Sequence, residues 1–177
     1  MVQLTIGKVR LSYLHVFEPY ATKEGDDKRY SASILIPKSD KTLVSKIKQA
    51  IEDVKKDQTS LSKWGGKIPS NLKTPLRDGD VERPDEEAYT KHFFMGANSV
   101  NKPGLVDLSR APIVSQDELQ SGDYGYVNIS IYAFNFNGTK GIACGLNHIM
   151  KTETGERLAG GISVEEAFAD INVDDLM

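Results

Sequence analysis

Residues 124–150 constrain this chain more than any other stretch. Two strand-like runs flank Asn137-Gly138, a pair that favours the two-residue hairpin turn in which both central residues take positive φ. In the first run Val127, Ile129, Ile131 and Ala133 share one face, and Ile142, Cys144 and Leu146 match them in the second. The opposite face carries Tyr124, Tyr126, Asn128, Ser130, Tyr132, Phe134 and Phe136, set against Gly141, Ala143 and Gly145. Side chains alternate across a strand, so the hairpin is aliphatic on one side and aromatic, with small neighbours, on the other.

The other segments supply more strands and one clear helix. Val2, Leu4 and Ile6 alternate with Gln3 and Thr5, and Val9, Leu11 and Tyr13 continue one register off. A bulge or bend near Gly7 is therefore expected. Residues 29–37 place Tyr30, Ala32, Ile34 and Ile36 on one side of a second strand. Ser39 or Asp40 then caps a helix whose apolar stripe is Leu43, Val44, Ile47, Ala50, Ile51 and Val54, with a lysine-rich solvated face opposite. Regular periodicity fails over residues 58–92, a long central loop holding Trp64, Pro69, Pro75 and Pro84. Residues 92–99 form a short buried strand and 104–108 another. One helix among several strands, without βαβ alternation, makes the chain mainly β, as a small barrel or sandwich.

At 177 residues the length fits one domain. No run approaches the ~18 apolar residues of a membrane helix, and the alternating first thirteen residues are unlike a signal peptide. The single cysteine, Cys144, rules out an internal disulfide framework and fits a reducing cytoplasm. Charge is divided unevenly. Five of the 25 acidic residues lie in residues 165–177, which leaves 20 against all 22 basic residues in 1–164, a net of +2 followed by −5. This acidic tail comprises Glu165, Glu166, Phe168, Asp170, Asp174, Asp175, Leu176 and Met177 among its charged and apolar members. Such a tail competes with a polyanion for a basic body, docks a basic partner, or serves as a solvated end. Ser163 and Glu166 have capping-box spacing, so its first turn is expected to be helical.

The aromatic hairpin face has two readings. It packs under the helix or the long loop, or it forms a platform on which bases stack. In the second case Tyr126, Tyr132, Phe134 and Phe136 stack, while Lys140 at the turn and Lys63, Lys67, Lys73 and Arg77 on the loop track phosphates. Trp64, between Lys63 and Gly65-Gly66, fits either a stacking flap or an anchor that pins the loop to the barrel. Catalytic constellations are thin. His15, His92, His148 and Cys144 lack metal-ligand spacing, and no Walker loop, GxSxG or CxxC occurs. No metal or cofactor is expected. Asp78 and Asp80 in RDGD are the one candidate for a metal-dependent nuclease; a tight turn with acids balancing Arg77 and Arg83 is the plainer reading.

Taken together, residues 73–89, 92–99, 103–107, 121–151 and 155–168 resemble, in order, a phage family of single-stranded DNA-binding proteins with an OB-type barrel. The carrying stretches include KTPLRDGDVERPDEEAY, HFFMGANS and SGDYGYVNISIYAFNFNGTKGIACGLNHIMK. The resemblance implies an OB-like domain over residues 1–162 followed by the acidic tail at 163–177. It further implies sequence-independent coating of single-stranded DNA in phage replication and recombination, without catalysis or cofactor. The tail is similar to those that recruit replication or recombination enzymes, although Ile171, Asn172 and Val173 interrupt its acids. A strand-annealing or structural interaction protein is the remaining alternative.

Overall fold

A computed structural model describes residues 1–21 and 23–158, together with Phe168, Ile171 and Asp174. Five long strands dominate: β1 (Val2–Tyr20), β2 (Arg29–Pro37), β4 (His92–Ser99), β6 (Tyr124–Phe136) and β7 (Thr139–Glu153). Two-residue β3 (Arg77–Asp78) and three-residue β5 (Gly104–Val106) extend the sheet. The strand order is β3-β4-β2-β1-β6-β7-β5, and a further pairing of β4 with β7 closes the five long strands into a barrel. That closing seam is parallel and short, Ala97 opposite Cys144 and Asn98 opposite Gly145. Every other pairing among the five is antiparallel. This is the small Greek-key barrel of the OB type.

The β6–β7 hairpin forms in the expected register, with Phe136 opposite Thr139 across Asn137 and Gly138. Their φ values of 50° and 83° are those of a type I′ turn. Val127, Ile129, Ile131, Ala133, Ile142, Cys144 and Leu146 are all buried. They meet Ile6, Val9 and Leu11 of β1 and Ala32, Ile34 and Ile36 of β2 in one core. The register slip in β1 falls between Ile6 and Val9, as the change of phase around Gly7 predicts.

Helix α1 (Lys41–Lys56) plugs the barrel against β6, β1 and β2. Asp40 caps it, its side chain accepting from the Leu43 N–H at 3.2 Å, which satisfies one of the orphan donors of the first turn. All six residues of the apolar stripe are buried. The central region is more ordered than its lack of periodicity suggests. It holds α2 (Gln58–Lys63), α3 (Gly79–Glu82) and a 3-10 turn at Glu87–Tyr89. Among the described residues no helix is long and apolar enough to cross a membrane.

Candidate nucleic-acid interface

The barrel's outer surface carries a row of small side chains running across four strands. Ser31 on β2 lies opposite Asn98 on β4, Asn98 opposite Gly145 on β7, and Gly145 opposite Ser130 on β6. Two residues along, Ser33 faces Gly96 on β4, and nothing stands within 4 Å of where a Gly96 side chain would begin. Beside this row runs a groove of about 650 Å³, floored by Gly96, Asn98 and Ala143 and walled by Lys73, Arg77 and Glu82, the last two ion-paired. The wall stays put because its backbone joins the sheet. Lys73 O accepts from the Ile142 N–H at 2.7 Å, and Arg77 pairs with Phe94.

The aromatic hairpin side faces this surface. Tyr132 is opposite Ala143 and Phe134 opposite Gly141. The Phe134 ring lies so close over Gly141 that any larger residue there would meet it at 2.8 Å; glycine is what lets the ring approach β7 this closely. Both rings are half-buried, and Phe136 at the hairpin tip is 72% exposed. Tyr126 is separated from them. It lies six residues from Tyr132, about 20 Å along the strand, beside His148 and Met150 in a different, mostly apolar hollow. The structure thus brings Tyr132, Phe134, Lys73 and Arg77 to one region and leaves Tyr126 outside it.

Trp64 corrects one expectation. Its ring is 2% exposed, part of the barrel-and-helix core, and its indole N–H donates to Phe134 O at 3.1 Å. It is the anchor of the loop and presents no stacking surface. The neighbouring lysines clamp the same junction: Lys63 donates to Ala133 O at 3.0 Å and Lys140 to Trp64 O at 3.2 Å. Each ammonium has three protons, so one bond to a carbonyl leaves donors for an anion. Lys67, just after Gly65 and Gly66, is exposed.

The remaining outer face is covered by the chain itself. Tyr89, 1% exposed, packs on Leu35 and Phe94 in a small second core, and its hydroxyl donates to Ser33 Oγ at 2.9 Å. Arg83 lies over the Tyr13, Tyr89 and Phe94 rings. Tyr13 donates to Glu86, a bond that pushes its phenol up to about 12. Asp78 and Asp80 both bind Lys38, at 2.6 and 2.7 Å. That hydrogen bond holds each carboxyl below its ordinary range. Asp78 also caps α3 and Asp80 accepts from the Lys91 N–H, so the acids considered for a nuclease serve a latch. Among the described residues no His, Cys, Asp and Glu cluster suits a metal ion.

The chain leaves the barrel through a buried carboxylate. Asp123, fully buried, pairs with Arg157 at 2.7 Å and Lys151 at 3.2 Å and accepts from the N–H groups of Gln120 and Gly155. Burial by itself raises this carboxyl, but those donors outweigh it and hold it below the usual range. Of the tail, Glu165, Glu166, Asp170, Asp175, Leu176 and Met177 lie outside the described residues, as does the expected helical turn. Phe168 is 61% exposed, and Asp174 is exposed.

Sequence reasoning missed Gly96 and Asn98 on the floor of the groove, and Ser31 in the row beside it. Small residues in a strand carry no signal until the non-local β4–β7 pairing aligns them with the hairpin.

A closed OB-type barrel with a small-residue track, flanking aromatic rings and lysines beside them has the form of an oligonucleotide-binding module. Sequence comparison sharpens this: the chain belongs to the family of the Enterobacter phage Enc34 ssDNA-binding protein, matching it over residues 2–177. It is also similar to protein p50 of Acyrthosiphon pisum secondary endosymbiont phage 1, with 30% identity over 184 residues, 97% of this chain and 95% of that one. Among solved structures, the single-stranded DNA-binding protein of bacteriophage Enc34 in complex with ssDNA aligns with a TM-score of 0.79 at 23% identity over 89% of each chain. The single-stranded DNA-binding protein gp2.5 encoded by bacteriophage T7 aligns with a TM-score of 0.60 at 14% identity, over 97% of this chain and 94% of that one. These two likenesses are of fold. Membership of a family of binding proteins makes the chain a binder and not an enzyme.

Proposed function

We propose that this chain binds single-stranded DNA irrespective of base sequence, coating unpaired strands during phage replication and recombination in the host cytoplasm. The observation that carries the reading is the groove, in which aromatic rings and a floor without bulky side chains adjoin a wall where Lys73 stands beside the Arg77–Glu82 ion pair. Bases stack on Tyr132, Phe134 and the exposed Phe136, which tolerates any sequence because every base has a π-face. Lys67, Lys73 and Arg77, with the spare donors of Lys63 and Lys140, neutralise phosphates. Tyr126 serves only a strand that continues along β6. Residues 1–162 act as the binding domain, and the acidic segment 163–177 competes with DNA for the groove or docks basic surfaces of replication and recombination enzymes.

The test is a salt-titrated binding assay with single- and double-stranded oligonucleotides side by side. The expected result is strong preference for the single strand, with log K falling by about 0.7 per phosphate neutralised for each tenfold rise in salt. Equal affinity for both forms sinks the proposal. Truncation after Gly161 is expected to tighten binding, most visibly at low salt, where an anion competing in cis is least screened. Unchanged or weaker binding would count against competition in cis and leave partner docking or a solvated, solubilising end as the tail's role.

A further inference from the structure

The small-residue row does not end at β2. Ser31, its β2 member, lies opposite His15 on β1, and directly opposed residues in an antiparallel pair share a face. The full row is therefore His15–Ser31–Asn98–Gly145–Ser130, crossing all five strands of the barrel. At His15 the character of the surface changes. The imidazole lies parallel to the Tyr20 ring, with centroids 4.2 Å apart and planes inclined by 7°, and Tyr20 is 51% exposed. The stack lies outside the core, which Val16 of the same strand enters and Phe17 packs against. Burial pushes the imidazole below its ordinary value, so near pH 7 it contributes a flat neutral ring. A cation stands beside it: Arg29 pairs with Tyr20 in register and donates to Asn98 Oδ1 at 3.2 Å, which holds the guanidinium over the row.

We infer that the His15–Tyr20 stack is a second base-stacking platform, with Arg29 as its phosphate contact, at the opposite end of the track from Tyr132. The inference rests on the single-stranded DNA reading and specifies where the strand goes. Four inter-strand steps of about 4.8 Å carry the row roughly 19 Å round the barrel from His15 to Ser130, and Tyr132 lies two residues, about 7 Å, further along β6. One strand held at both ends thus crosses the barrel perpendicular to its strands, passing over residues too small to obstruct it. The His15 ring backs Tyr20, so a base stacking on the outer face of Tyr20 completes a three-ring pile.

The experiment measures fluorescence anisotropy of labelled oligo(dT) of about 4 and about 16 nucleotides, the range one OB fold covers. Wild type, Tyr20→Ala, Tyr20→Phe and Tyr132→Ala are compared. Tyr20→Ala is expected to weaken the longer oligonucleotide roughly five- to hundredfold, the loss of one stacked base. Its effect on the short one should be smaller, because that strand can occupy the Tyr132 end alone. Tyr20→Phe should bind as wild type, and the salt slope should stay unchanged because no phosphate contact is lost. Wild-type affinity of Tyr20→Ala at both lengths overturns the inference while leaving the general reading intact; absence of binding by wild type overturns the general reading instead. As a check that needs no variant, photocrosslinking of wild type with 5-iodouracil-substituted oligonucleotide should label Tyr20. Labelling confined to the Tyr132 end would count against the platform.

Discussion

Trp64 and Asp123 illustrate how much single residues set here. A tryptophan beside two glycines in an aperiodic loop gives no sequence sign of its side-chain environment, yet it is the largest fully buried side chain. Trp64→Ala should cost about 3–5 kcal/mol of folding stability, read by urea denaturation. In the intact protein its fluorescence should change little when DNA binds, since the ring lies beneath the hairpin rather than on it. Asp123 makes the opposite point, a charge that sequence reading passes over because its partners come from residues 120, 151, 155 and 157. Its folded pKa is depressed, so its stabilising contribution is full above the unfolded value near 4 and fades as pH falls through the folded value. Denaturation midpoints of wild type should hold from pH 7 to 5 and drop below about 4. Asp123→Asn, which removes the buried charge that Lys151 and Arg157 bind, should lose about 1–3 kcal/mol at pH 7 and show a smaller acid-dependent drop, the remainder coming from carboxyls such as Asp78 and Asp80.

At the scale of elements, the hairpin and helix α1 were the most legible parts of the chain. Both are local and strongly periodic, and both formed with the faces their patterns dictate. The turn is testable on its own terms: Gly138 has φ 83°, so Gly138→Val should destabilise by about 1–2 kcal/mol through backbone strain. Tyr132→Ala and Phe134→Ala should each weaken single-strand binding by about 1–3 kcal/mol with an unchanged salt slope, measured by anisotropy across a salt series. Less legible were elements whose place depends on distant partners. The segment around Tyr89 reads as loop because its apolar residues are sparse, yet it packs on β2 and β4. The far end of β1 escaped notice for another reason. Register shifts between Ser12 and His15 and again before Tyr20 break the two-residue period, so alternation counted from Val2 assigns His15 and Tyr20 to no definite face.

For the whole molecule, the small β-barrel was readable as a class from strand number and the absence of βαβ units, but the strand pair that closes it was not. Electrostatics acts at the same scale. If Lys73 and Arg77 each neutralise one phosphate, Lys73→Ala and Arg77→Ala should each flatten the plot of log K against log salt by about 0.7. Losing affinity with no change of slope would assign them a packing role instead. The parallel seam adds a consequence of a different kind. It joins residues 97–98 to 144–145 through two register pairs, with nearly fifty residues between them in the chain, whereas the hairpin beside it zips from a two-residue turn. Long loop closure for so few bonds makes the seam the place where the cylinder opens first and heals last. A strand of DNA crossing at Asn98 and Gly145 spans that joint from outside, as a hoop spans the gap between staves. Bound DNA should then slow amide hydrogen exchange at the seam more than in the hairpin, and the protein would be held closed by the molecule it covers.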